Sequence, residues 1–298
     1  MFPCALCIKF FRGGVEVANQ EQKGIKIYWP IGLSREMPDR TDRSDVIDQA
    51  LNDYTPKIMA PGTTVKVDWM KKTTSLLSSA FLGMINDVYM VNDILEAERK
   101  GYDAAMVGPH WDPGLIAARE ATSIPVTGPG ESAMMVAHTL GGHFAILTPL
   151  EGLVPMIERN ISLYGFKEQA ITRRPVRRFG MTYDKLIRCL QGTSDEFLME
   201  FEKTAKECIA DGADVIIGGG QFFGPVFIKY QFFSIPNTGV PVVDCAACGL
   251  KLAEMLVTMR RSIGLTKSEH INAPFRTPPR DVLAVSYTHL TLPTKRIV

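Results

Sequence analysis

Short apolar runs alternate with longer stretches of helical spacing along most of the chain. Gly24–Gly32 (GIKIYWPIG) reads as a buried strand that ends in a Pro/Gly loop. Asp45–Asn52 reads as helix, and Thr63–Met70 alternates as a strand does. Ile85–Lys100 carries apolar residues at helical spacing and stops at Gly101. Tyr102–Gly108, Ile124–Gly128, Gly142–Pro149, Ala213–Gly220 and Val240–Asp244 read as strands. Leu115–Thr122, Glu131–Leu140, Gly152–Tyr164, Ser194–Asp211 and Ala246–Ile263 read as helices. Strands that alternate with helices imply βαβ units and parallel sheets covered on both faces. The almost continuously apolar runs AAMV, AILT and DVII fit strands buried on both sides.

Composition narrows the class. Of 298 residues, 46% are apolar and 22% charged, which suits a globular α/β protein and excludes a disordered or collagenous chain. The net charge of +1 gives no electrostatic footprint for nucleic acid or an anionic membrane. The basic run Arg173–Arg178 (RRPVRR) reads as a charged edge strand or a subunit contact. No apolar run is long enough to span a bilayer. Six cysteines without a disulfide framework fit a reducing cytoplasm. Residues 1–23 read as an extension outside the fold, and 271–298 as a tail. Within that tail, 285–298 resembles a translated adapter or vector junction of the kind met in metagenomic genes.

Ligands in parallel α/β folds sit beyond the carboxyl ends of the strands. Four strands here end in loops suited to close backbone approach. They offer Pro30, Ile31 and Gly32; Pro109 and Trp111; Thr148 and Pro149; and Gly219, Gly220, Gln221 and Phe222 as substrate contacts. Cys245 ends a fifth strand and opens a helix beside the same expected cleft. The spacing Cys245–Cys248 allows a redox reading, but no thioredoxin-like sequence surrounds it. No second Cys/His pair supplies the rest of a zinc site, so no metal is expected. No Walker A or GxGxxG element follows a strand, so no cofactor is expected.

Four segments carry a family resemblance: GYDAAMVGPHWDPGLIAARE, IPVTGPGESAMMVAHTLGGHFAILTP, DGADVIIGGGQ and GVPVVDCAACGLKLAEML. Together they resemble the aspartate/glutamate racemase superfamily, nearest its hydantoin and allantoin racemase branch, from about Ile25 to Leu256. The resemblance implies two similar three-layer lobes related by a pseudo-twofold axis, with the active site between them. Lobe one would comprise 24–128 plus 241–270, and lobe two 129–240. It also implies two catalytic thiols, one on each face of the substrate. The matching positions here hold Pro109 and Gly220, neither of which can exchange a proton.

A non-cysteine mechanism is therefore expected. His110, one residue past the first lost thiol, can titrate near neutral pH and is the first candidate for general base or acid. Asp112 is either a catalytic carboxylate or a cap for the helix Leu115–Thr122. Glu131, at a helix start, is either catalytic or dipole-stabilised structure. Gln221 can orient a carbonyl or a water. Phe222 and Phe223 either line an apolar pocket or pack the lobe interface. The expectation is a homo-oligomeric enzyme acting on a small molecule at or beside a carbonyl or carboxylate, by racemase-type proton transfer. Two alternatives stand beside it: a hydrolase or lyase on a cyclic amide or lactone, and a non-catalytic small-molecule binding protein.

Overall fold

The computed structural model describes residues 24–34, 41–74 and 79–279. The first four strands and helices are β1 (Ile25–Pro30), α1 (Thr41–Ile58), β2 (Thr63–Asp68), α2 (Ala80–Arg99), β3 (Ala104–Met106), α3 (Leu115–Ala121), β4 (Val126–Thr127) and α4 (Pro129–Leu140). The second half follows with β5 (Phe144–Thr148), α5 (Val154–Leu163), β6 (Val176–Arg178), α6 (Tyr183–Gln191), α7 (Glu196–Ala210), β7 (Val215–Gly218), α8 (Phe223–Lys229), β8 (Val242–Asp244) and α9 (Cys245–Ile263). The strands form two four-stranded parallel sheets, ordered β2-β1-β3-β4 and β6-β5-β7-β8. The two orders are the same when each sheet is counted from its own first strand. This is the two-lobed α/β architecture the sequence predicts.

The central strands are the apolar runs. β3 and β5 are buried along their whole length, as strands sandwiched between helices must be. Burying each Ile, Leu or Phe here contributes about 1.5–3 kcal/mol. The largest core cluster crosses the lobe boundary, joining Ile27, Trp29, Leu51 and Tyr54 to Phe179, Phe197, Phe201 and Phe223. Phe179, Phe197, Phe227 and Phe232 surround Phe201 or Phe223, which also touch each other, in edge-to-face contacts of 5.0–6.4 Å.

Several expectations are corrected. β8 pairs with β7, so Val242–Asp244 belongs to the second sheet, and the expected lobe boundary at 240/241 does not hold. Only after β8 does the chain cross back, as α9, to pack on β1, β3 and β4 as well as α4. α1 starts earlier and ends later than the expected 45–52. α6 and α8 were not anticipated. Of the run Arg173–Arg178, only Val176–Arg178 forms the edge strand, and Arg177 is buried and ion-paired with Asp211. Most of the segment after α9 is exposed, but it touches the first lobe at Phe275, whose ring lies under the Arg119 guanidinium at 5.5 Å. The expected extension at 1–23 and the junction at 285–298 lie outside the described residues. Among the described residues no helix is long and apolar enough to cross a membrane.

Candidate active site

The strand registers relate the two lobes residue by residue. Met106 pairs with Thr127 in the first sheet, and Ile217 with Val243 in the second. One residue later, Gly128 and Asp244 cap α4 and α9. Four residues beyond Met106 stands His110; four beyond Ile217 stands Gln221. Each crosses to the opposite lobe. His110 Nε2 shares a 3.3 Å hydrogen bond with Thr148 Oγ1, at the end of β5. Gln221 Nε2 donates to the Ile31 carbonyl, just past β1, at 2.8 Å. The same register makes Ile31 and Thr148 counterparts, so the two bonds are pseudosymmetric.

His110 lies behind the cleft rather than in it. It is 4% exposed, its ring meets Trp111 edge-on at 5.5 Å, and Gly219 leaves room for it. A Cβ at 219 would stand 3.0 Å from His110 Cδ2. Burial pushes the imidazole down to about 3, so it is neutral through the working pH range. The expected near-neutral titration of His110 is therefore corrected.

The two carboxylates are also placed differently from a catalytic pair. Asp112 is buried and left-handed, at φ 54°. It accepts from the Gly130 and Glu131 backbone N–H groups, both at 2.8 Å, and from the Tyr164 hydroxyl at 3.0 Å. It thus caps α4, not the helix that follows it. Burial raises it to about 7, against the three hydrogen bonds that pull it down. Glu131 forms a bidentate ion pair with Arg119, whose Nε also donates to the Val126 carbonyl at 2.9 Å. That pair ties α3, β4 and α4 together.

A cavity of about 450 Å³ opens at the lobe boundary. Its floor is Pro109 and Trp111, with Gly32 beside them; α2 forms one wall and α5 the other. Asn160 Nδ2 of α5 donates to the Trp111 carbonyl at 2.7 Å and fixes the floor to that wall. Of the expected substrate contacts, Gly32, Pro109 and Trp111 line this cavity. Pro30, Ile31, Thr148, Gly219, Gly220, Gln221 and Cys245 are buried behind it, and Pro149 is half-buried outside it. Phe222 and Phe223 belong to the core. Cys245 is fully buried, with the Gly220 N–H facing its sulfur, and burial pushes its thiol well above the ordinary range.

Residues 50–253 match the model of the Asp/Glu/hydantoin racemase family. The chain belongs to that family. A hydantoin racemase of Rhizobium meliloti is 33% identical over 168 residues, which are 56% of this chain and 66% of that protein, just under two thirds of its length. A hydantoin racemase of Pseudomonas sp. (strain NS671) is 27% identical over 60% of this chain and 68% of its own. Among solved structures, allantoin racemase from Pseudomonas fluorescens superposes with a TM-score of 0.68 at 22% identity, covering 85% of this chain and 97% of that one. Allantoin racemase from Klebsiella pneumoniae gives 0.65 at 20%, covering 86% and 94%. At these identities the structures speak to the fold, and they share the two-lobed racemase fold.

Against the family pattern, the two positions that the resemblance assigns to thiols hold Pro109, which lines the cavity and packs on Gly32, and Gly220, which packs on Phe223. Gly32, at φ +67°, accepts the Pro109 ring: a Cβ at 32 would lie 2.5 Å from Pro109 Cγ. The space beside Gly220 is filled by Phe223, whose ring would stand 2.3 Å from a Cβ there. Each replacement comes with a partner shaped to it.

Sequence reasoning missed two residues of the cleft. Among the described residues, Asp87 of α2 and Arg159 of α5 are the charged ones that line it. Among the described residues neither side chain has a hydrogen bond or ion pair, although Arg159 is near enough to lower the Asp87 pKa. Burial outweighs it and raises Asp87 to about 6. The available signal was a lone carboxylate in the apolar helical stretch Phe81–Met90.

Proposed function

We propose that this chain inverts the configuration of a carbon next to a carbonyl in a small cyclic amide of the hydantoin or allantoin type. It does so by proton transfer through groups other than a cysteine pair. The observation that carries this reading is the interlobe cavity that closes on the loop Pro109–Trp111, the loop where the family resemblance puts its first thiol. The racemase names of the relatives support the reaction class. A proline in place of the first thiol, and the Phe223 ring against Gly220 at the second, support the non-thiol mechanism.

In this reading the floor loop positions the ring of the substrate against Trp111. His110 and Gln221 hold the two lobes in register behind it. His110 acts as a neutral hydrogen-bonding group, because protonating it in its buried place is costly. The test is proton exchange in D₂O. Incubation with single enantiomers of 5-substituted hydantoins and of allantoin should replace the α-proton by deuterium and erase optical rotation, with no ring-opened product. A carboxylate product without exchange would instead make the chain a hydrolase.

A further inference from the structure

We propose that Asp87 and Arg159 are the substrate-handling pair of the cleft. Asp87 takes the proton from the carbon next to the carbonyl, and Arg159 holds the oxygen on which negative charge develops. This rests on the reaction proposed above and supplies the groups that perform it.

The geometry has three parts. First, the two residues stand on opposite walls, one from each lobe, over a floor fixed by Asn160 to the wall that carries Arg159. Second, the rest of the lining is largely apolar, with Met70, Met84, Met90 and Met156 prominent. The buried polar neighbour Asn86 is already committed to Thr73 and Thr74, so it does not serve Asp87. Third, among the described residues no ion pair joins Asp87 to Arg159 and neither side chain has another partner, although Arg159 is near enough to act on Asp87. Asp87 is half-buried and Arg159 exposed, so both side chains are open to a ligand in the cleft. A planar amide offers what is missing, with a carbonyl oxygen for the guanidinium fork and an acidic C–H for the carboxylate.

The protonation state is suitable. Burial raises Asp87 to about 6 and Arg159 offsets part of that. A base in this range is ionised at neutral pH yet strong enough to accept a proton. β1, β3 and α3, which pack on α2, bring no further charge to bear on it; Arg159 of α5 is the charged group that faces it. In the step, the C–H bond breaks and an O–H bond forms on Asp87. The electron pair moves into the carbonyl, giving an enolate whose oxygen is held by Arg159. A water on the opposite face gives the carbon a proton, and the hydroxide left behind takes the proton from Asp87. The substrate is inverted, the carboxylate is restored, and no net acid or base is formed.

The experiment measures exchange of the C5 proton of (S)-5-benzylhydantoin in D₂O as a function of pH, for wild type, Asp87→Asn, Asp87→Glu and Arg159→Gln, with melting curves to confirm folding. In wild type, kcat/KM should fall as pH drops through about 6, where Asp87 becomes protonated. Asp87→Asn should lose about 10²-fold or more and the acid limb with it. Asp87→Glu should keep the limb and part of the rate. Arg159→Gln should raise KM and move the limb to higher pH, because the charge that lowers Asp87 is gone. A folded Asp87→Asn enzyme with its rate and limb intact, or an Arg159→Gln enzyme with an unmoved limb, would overturn the assignment. If wild type exchanges no proton, the reaction proposed above fails, and calorimetric binding of the same hydantoin then decides the pair. Binding weakened in Arg159→Gln supports it as a ligand grip; equal or absent binding overturns it.

Discussion

Glu131 and Asp112 look catalytic in a linear reading, and each turns out to hold α4 in place. Glu131→Gln breaks a largely buried ion pair with Arg119. It should lower stability by about 1.5–3 kcal/mol, the range for a hydrogen-bonded charged group, and leave kcat unchanged. Melting curves and turnover measured on one preparation check both halves. Asp112 titrates near 7 when folded, against 3.8 for the free side chain. The folded chain thus keeps a proton that the unfolded chain gives up. That contribution to stability is fully present below about pH 4 and is lost as pH rises through 7. Urea midpoints from pH 4 to 8 should show this slope, and Asp112→Asn should flatten it. Asn still tolerates the left-handed backbone. Neither role was legible beforehand, because both partners come from segments that only the fold brings together: Gly130 and Tyr164 for Asp112, and Arg119 for Glu131. Asp87 escaped for the same reason. A lone carboxylate on an apolar helix says little until another helix faces it.

At the scale of elements, the strands were the most legible. Continuous apolar runs such as FAILT leave few alternatives to a strand covered on both faces. The missed helices have different causes. α6 carries the ordinary signals, with Thr182 accepting from the Lys185 N–H and Gly192 closing it at φ 82°. α8 has Gly224 and Pro225 in its first turn and is held by the phenylalanine cluster rather than by propensity. The lobes are also joined at α1, where the Tyr54 hydroxyl donates to Asp244, the residue that caps α9. Tyr54→Phe keeps the ring in the core but removes this bond. A loss of about 1.5–3 kcal/mol is expected from thermal or urea denaturation, and no change would mean that the bond does not contribute. The packing that displaces the second thiol can be probed similarly. Gly220→Cys forces a Cβ against Phe223. It should destabilise by about 1–3 kcal/mol, with part of the loss recovered by adding Phe223→Leu.

The whole molecule is a duplicated α/β unit whose two sheets meet at their strand ends, and this was legible from βα alternation together with the family motifs. The lobe boundary was not, because β8 and α9 are contiguous in sequence yet serve different lobes. The site was half legible. The loop Gly108–Gly114 can be read from its Pro and Gly residues as one that ends a strand, and Pro109 and Trp111 floor the cavity. The choice of His110 within it was not supported by the geometry, because adjacent loop residues point to opposite sides. Proton transfer without a cysteine pair is the property proposed for this member of the racemase family. The most direct measurement is deuterium incorporation at C5 of a hydantoin by a Cys245→Ala variant treated with iodoacetamide, compared with untreated wild type. The four cysteines among the described residues are free, and Cys245 is the one that lies against Gly220. Exchange retained near the wild-type rate is the result expected. Exchange abolished in a protein that still melts like wild type would contradict the claim and return the chemistry to a thiol.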